Sequence, residues 1–295
     1  MKKKKEKKYI APNECSLRRW IGVLIVGLLL GGVLSGPFSY VAVNVSGSFM
    51  GISYYSLFAT AAFAGLFWGM VIAIKVVGKT SLKDFVLGVG GRLNVKECLT
   101  VLGLYAAGFT TLYVLSGKYV SLRGVNPGEF LVLVVLMLLL AWMQTSWEEL
   151  IFRGIFVRWA CKNELGFHKK TIIVGFAAAV LFALSHATNP EVTTQSGFRV
   201  ILALANYAIP AMMWHIANMY FGNLMPGMLI HWFNNFMLFT VISAEVTAMP
   251  FPTLLVDNTP GTPEFTLLCY VVGYAPLAVY MIVKARADKK AKAEN

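Results

Sequence analysis

FLVLVVLMLLLAWMQ, residues 130–144, runs directly into TSWEELIFRG, residues 145–154. The first stretch carries no charge, and about 20 apolar residues in a helix cross the roughly 30 Å hydrocarbon layer of a bilayer. The second sets Glu148, Glu149 and Arg153 at the end of that run, with no helix breaker before Gly154. Insertion scales put an ionisable residue at mid-bilayer at about 2.5–3.5 kcal/mol. Such residues persist where they face the interior of a bundle and serve a function there.

The rest of the chain has the same character. It is 57% hydrophobic and 14% charged, against roughly 25% charged in ordinary soluble domains. Apolar runs recur near residues 20–43, 54–76, 98–116, 130–152, 171–187, 198–221, 224–244 and 264–284. The expectation is an all-α, polytopic transmembrane helical bundle of about eight spans. It forms one membrane domain over residues 20–284, flanked by basic tails at 1–19 and 285–295.

The net charge of +12 does not indicate a nucleic-acid partner, because no nucleic-acid-binding motif accompanies it. Of the 26 Lys and Arg residues, only Lys118, Arg123 and Arg199 fall on one side of the expected bundle; all the others fall on the opposite side. The positive-inside rule then makes both termini cytoplasmic. The lysine-rich N-terminal tail is suited to anionic lipid, at about 1 kcal/mol per charge near the surface. The basic start and first apolar run resemble a signal peptide, but apolar character continues through Tyr40–Val45, so the segment reads as a retained span. A bacterial plasma membrane is the expected location.

Other features carry less. Cys15, Cys98, Cys161 and Cys269 are scattered without a CxxC pair, which argues against a disulfide framework or a thiolate metal site. The Gly88-Val89-Gly90-Gly91 cluster, inside a basic and apolar connection at 77–97, reads as a turn, since no GK[ST] follows it. TPGTPEF, residues 259–265, is an outer loop.

Three stretches hold polar groups that lipid disfavours. On a helix, Glu149 and Arg153 are i and i+4, on one face, in the favourable orientation for an ion pair. Glu148 is turned about 100° from Glu149, which leaves it free to act as a base while Glu149 and Arg153 hold the helix. FALSH, residues 182–186, brings His186 to the end of a span, with Phe182 one turn before it. HWFNN, residues 231–235, puts His231 and Asn235 one turn apart, able to hydrogen-bond a developing oxyanion. Taken singly, each has an ordinary explanation: a span end among headgroups, an interfacial histidine, interhelical hydrogen bonds. Taken together, on three separate spans, they are a full set for hydrolysis. His215, with Asn218 at i+3, reads mainly as packing, as do Met212, Met213 and Trp214; His168 beside Lys169 and Lys170 reads as solvated. No HExxH is present.

EELIFR (148–153), FALSH (182–186) and HWFNN (231–235) resemble, in order and spacing, the three motifs of the CPBP intramembrane protease family, also called Abi. That family includes the eukaryotic type II CAAX prenyl endopeptidase and bacterial proteins of bacteriocin self-immunity. The resemblance covers about residues 130–240. It implies that Glu148 and His186 activate a water, that His231 and Asn235 form the oxyanion side, and that Glu149 and Arg153 support the site. It leaves the cofactor open: Glu148, His186 and His231 would suffice as protein ligands for a catalytic zinc, and would serve equally as a metal-free acid–base site.

Two departures stand against this. His215 lies where the family has small and apolar residues, which suggests a cavity-lining role that tunes substrate choice. Straight spans would also set Glu148 about 27 Å inward from Phe130 and His186 about 24 Å outward from Lys170, too far apart to meet unless the fourth helix tilts or runs well past the surface. The expected function is an endopeptidase acting on membrane-associated, lipidated or hydrophobic peptides. The rival reading is a non-catalytic membrane scaffold or a transporter, in which the same groups relay protons.

Overall fold

The apolar runs become helices, and capping residues mark where some of them begin. The computed structural model describes residues 15–88, 91–115, 120–161, 165–244, 247–257 and 263–294. Helix α1 (Leu17–Asn44) passes through a short hairpin, β1 (Ser48–Phe49) and β2 (Ile52–Ser53), into α2 (Tyr54–Val76). The Ser53 hydroxyl accepts the Ser56 N–H at 3.2 Å and starts α2. Then come α3 (Leu82–Leu87), α4 (Val95–Leu115) and strand β3 (Val120–Leu122). Asn126 caps α5 (Pro127–Glu149), accepting from the N–H groups of Gly128 and Glu129, with Pro127 in the first turn where its missing N–H is harmless.

The chain beyond α5 does not stop at residue 152. It continues as a π-helical segment, Leu150–Val157, and a last turn, α6 (Arg158–Ala160). There follow α7 (Lys169–Leu184), the short α8 (Pro190–Thr193), α9 (Phe198–Phe221), α10 (Met225–Thr240), strands β4 (Ile242–Ala244) and β5 (Leu255–Asp257), and α11 (Pro263–Glu294). Gly222, at φ 68°, turns the chain tightly from α9 into α10. The span expected to run to 244 ends at Thr240, because the β-branched stretch after it pairs with β5 in a small sheet of order β3-β5-β4. The basic residues 2–8, Val89 and Gly90 of the glycine cluster, Lys118, Lys162 and residues 259–262 of the outer loop lie outside the described residues.

Five helical stretches are long and apolar enough to cross a membrane: Leu17–Asn44, Tyr54–Val76, Pro127–Ala160, Phe198–Phe221 and Pro263–Ala287. They mark an all-α integral membrane bundle. Eight crossings are not shown. Helices α7 and α10 have 16 residues each, about 24 Å of helix, less than the hydrocarbon layer is thick, and α4 is not among the five.

Two kinds of packing join these helices. Gly27, Gly31 and Ser35 of α1 line up with Gly65 and Gly69 of α2, and a Cβ on Gly69 would sit 2.2 Å from the Gly31 nitrogen. The backbones touch, as in small-xxx-small membrane pairs; the sequence reading missed this four-residue spacing. In the other half α5 packs between α2 and α10, while α9 packs against α7, α10 and α11. The polar stretches gather there.

Candidate active site

Glu149 is the last residue of α5 and Arg153 lies in the π-segment. Both are fully buried, and Nη1 of Arg153 donates to Oε1 of Glu149 at 2.9 Å. Nη2 of Arg153 donates to the Ala211 carbonyl on α9 at 2.9 Å, and the guanidinium lies over the rings of Phe182 (5.1 Å) and Trp214 (5.5 Å). A buried guanidinium is tolerable when its charge and its donors are met. Here one carboxylate and one carbonyl take Nη1 and Nη2, two aromatic faces flank the charge, and Nε makes no hydrogen bond; the same contacts clamp the π-segment to α7 and α9.

His231 enters from α10. Its Nδ1 lies 3.1 Å from Oε1 of Glu149. With that carboxylate already paired to Arg153, Nδ1 is the nitrogen that carries the hydrogen and donates it. Nε2 then faces Glu148, 3.3 Å from Oε2. The imidazole is stacked on Trp214, ring centroids 3.5 Å apart at 12°. Glu148 is buried, and its Oε2 makes no hydrogen bond to a protein donor. The ion pair expected on one helix face, Glu149 with Arg153, is formed, and Glu148 lies against His231. Glu149 is held by Arg153 and His231, while Oε2 of Glu148 receives no hydrogen bond.

The fourth helix is longer than the expected span 130–152. Pro127–Ala160 is 34 residues, about 51 Å, longer than the roughly 30 Å hydrocarbon layer. The next helix returns alongside it, with Phe182 against Phe152 (5.4 Å) and beneath Arg153. About one turn from that level stand Glu149, at the end of α5, and His186, in the turn just after α7. Phe182 contacts both imidazoles, His186 at 4.6 Å and His231 at 5.7 Å between centroids. Nδ1 of His186 donates to the Phe182 carbonyl at 2.8 Å, with the Ser185 hydroxyl at 3.2 Å. Its lone-pair nitrogen is then Nε2.

Asn235 lies one turn beyond His231 and is half-buried. Its Oδ1 accepts from Nδ2 of Asn234 at 3.2 Å, and Oδ1 of Asn234 accepts from the Tyr105 hydroxyl on α4 at 3.0 Å. Among the described residues no hydrogen bond joins Asn235 to the glutamates or to either motif histidine. His215 does not line the site. It is fully buried, Nε2 donates to the Thr171 carbonyl at 2.9 Å, and the ring fills the space over Gly175, where a Cβ would fall 1.9 Å away. Its neighbour Asn218 accepts the Gly227 N–H at 2.9 Å and ties α9 to α10. The packing reading holds for both; the cavity-lining role suggested for His215 is wrong, because its ring points toward α7. Trp214, read as ordinary packing, is the stacking partner of His231, and nothing in its local sequence signals that.

The zinc set is not assembled. Nε2 of His231 and Oε2 of Glu148 stand about as far apart as two ligands on one tetrahedral zinc with bonds near 2.0–2.1 Å. His186 does not join them: among the described residues no three His, Cys, Asp or Glu side chains form a group able to hold a metal ion. The donor set is incomplete in this arrangement.

Residues 129–237 match the family model Rce1-like, described as type II CAAX prenyl endopeptidase Rce1-like. No curated protein and no solved structure matches the chain. The matched stretch begins in α5, ends in α10 and contains Glu148, Glu149, Arg153, His186, His231 and Asn235. Over that stretch the chain resembles the Rce1-like type II CAAX prenyl endopeptidase (CPBP) family, a resemblance that implies an intramembrane protease.

Proposed function

We propose that this chain is an endopeptidase that hydrolyses membrane-associated peptide bonds within its helical bundle, using Glu148 and His186 to activate a water. The observation that supports it best is Oε2 of buried Glu148, which receives no hydrogen bond and faces Nε2 of His231 at 3.3 Å, beside a Glu149–Arg153–His231 network. Oε2 of Glu148 takes one proton of the water, and Nε2 of His186 accepts the other as a hydrogen bond. The water oxygen bonds to the scissile carbonyl carbon, and the carbonyl becomes an oxyanion. Nδ2 of Asn235 donates to it, with His231 beside it on the same helix. Glu148 then returns its proton to the amide nitrogen, the C–N bond breaks, and acid and amine leave. Glu149 and Arg153 are supporting groups.

The substrate class is a lipidated or hydrophobic peptide, since the site lies among apolar helices. CAAX-type processing and bacteriocin self-immunity both fall within it. The setting is a single membrane domain over residues 20–284, with α4, α7 and α10 completing eight passes, and basic tails at 1–19 and 285–295 on anionic lipid. Both termini are cytoplasmic, in a bacterial plasma membrane.

The test is cleavage of a library of membrane peptides, prenylated and unprenylated, by purified full-length protein, wild type against Glu148→Gln. Loss of the base lowers the rate about 10²–10⁴-fold. A chelator arm reports separately on metal dependence. Glu148→Gln protein that cleaves at the wild-type rate sinks the mechanism. A wild-type protein that cleaves nothing in the library favours a scaffold.

A further inference from the structure

One face of α9 touches all three motifs. Tyr207, Ala211 and Trp214 are i, i+4 and i+7, the spacing of a single helix face. The carbonyl of Ala211 receives Arg153, and Trp214 carries His231. Tyr207 stacks on the imidazole of His186, ring centroids 4.3 Å apart at 24°. Its hydroxyl donates to Oε1 of Glu191 and accepts from Nδ2 of Asn189 at 3.0 Å. Asn189 and Glu191 sit at the start of α8, in the connection that leaves His186. None of these three residues lies in EELIFR, FALSH or HWFNN.

We propose that Tyr207, held by Asn189 and Glu191, is a positioning residue that fixes the ring plane of His186. The hydrogen bond from Nδ1 to the Phe182 carbonyl selects which nitrogen faces the site. By itself it leaves the ring free to swing about the Cβ–Cγ bond, a broad torsion for histidine. A stacked phenol closes that freedom, and its anchored hydroxyl stops the phenol from following the imidazole. The connection between α7 and α9 thus folds back on the residue it follows. Glu191 lies at the far end of the phenol, so its role is to hold Tyr207 in place.

This inference rests on His186 as a water-activating group, and the experiment separates the two. Full-length protein labelled with ¹⁵N-histidine is placed in lipid nanodiscs, and the His186 signals are assigned with His186→Gln. Wild type should show His186 as one tautomer, hydrogen on Nδ1. Tyr207→Leu should give a mixture of tautomers, while Tyr207→Phe, which keeps the stack, should stay close to wild type. On a quenched fluorogenic peptide ending in a farnesylated cysteine tail, Tyr207→Leu should lower kcat about 10–100-fold, the effect of a displaced catalytic group. KM should hold within about twofold. Added to His186→Ala, Tyr207→Leu should cost nothing more, because it acts through that ring. The proposal fails if His186 keeps its wild-type tautomer in Tyr207→Leu. It fails equally if Tyr207→Leu lowers cleavage as much in the His186→Ala background as in wild type. His186→Ala protein that cleaves at full rate removes the catalytic role of His186 instead, and the tautomer signal still decides whether Tyr207 holds the ring.

Discussion

The α1–α2 hairpin and the α5–α7–α9–α10 core hold together in opposite ways. In the hairpin two backbones meet at Gly31 and Gly69, with Ser35 one turn on against Gly65. In the core the helices meet through Arg153, two glutamates and a histidine, all buried. The hairpin gains from close van der Waals contact, which is what remains when lipid removes the hydrophobic drive for helices to associate. The core spends stability on desolvating charge, and the return is a set of reactive groups in fixed geometry. The family match begins at residue 129, so the hairpin lies outside it and the charged core inside. The hairpin uses glycine; the region inside the match keeps ions where lipid disfavours them.

The largest effect should come from splitting the core's ion pair. Arg153→Met leaves Glu149 buried with its charge uncompensated, and removing one partner of such a pair costs about 3–5 kcal/mol. Unfolding of purified protein in mixed micelles should show that loss. Adding Glu149→Gln to Arg153→Met should recover much of the stability while cleavage stays low, because His231 has then lost the charged acceptor for its Nδ1. A double variant as unstable as the single one would mean that the guanidinium acts mainly through its contacts with Ala211, Phe182 and Trp214.

A smaller effect, in stability alone, belongs to the hairpin. Gly69→Ala places a methyl 2.2 Å from the Gly31 nitrogen, so α1 and α2 must separate, at about 1–3 kcal/mol for overpacking. The same unfolding measurement reads it, and cleavage per folded molecule should stay near wild type. A large fall in kcat from Gly69→Ala would couple the hairpin to the site and erase the contrast between the two regions.

The sequence carried the membrane bundle and the three motifs because both are written in residue type. Uncharged apolar runs such as 130–144 permit few other folds, and Glu148, His186 and His231 stand out against lipid. The Glu149–Arg153 pair was legible because it is local, i to i+4. What escaped is what depends on neighbours distant in sequence. The π-segment leaves no mark in LIFRGIFV, so the fourth helix was ended eight residues early. Trp214 and Tyr207 are aromatic residues on an apolar helix, like many others here, and only the approach of α7 and α10 gives them His231 and His186 as partners. His215 drew attention by type, yet its carbonyl partner is on α7, 44 residues earlier. The glycine spacing of α1 and α2 was visible and went unread, because glycine in an apolar run looks like filler until a second helix lies against it.

The smallest effect should come from α4, which also lies outside the family match, and it tests how sharp the division between regions is. The Tyr105 hydroxyl donates to Oδ1 of Asn234, and Nδ2 of Asn234 donates to Oδ1 of Asn235. With its oxygen taken in this way, the amide of Asn235 has only Nδ2 to offer a substrate, which is the donor an oxyanion needs. Tyr105→Phe keeps the stack on Tyr274, rings 4.3 Å apart at 9°, and removes only the hydroxyl. Asn234 loses a donor in a buried place, at the low end of the roughly 1–3 kcal/mol that an unmet polar group costs, since its amide can turn. The expected result is a threefold to tenfold fall in kcat, about 1 kcal/mol, with KM unchanged and little loss of stability. The fall should vanish in an Asn235→Ala background. If it persists there, Tyr105 acts on the site by some route other than the orientation of that amide, and the region outside residues 129–237 contributes more to the chemistry than one hydrogen bond relayed from α4.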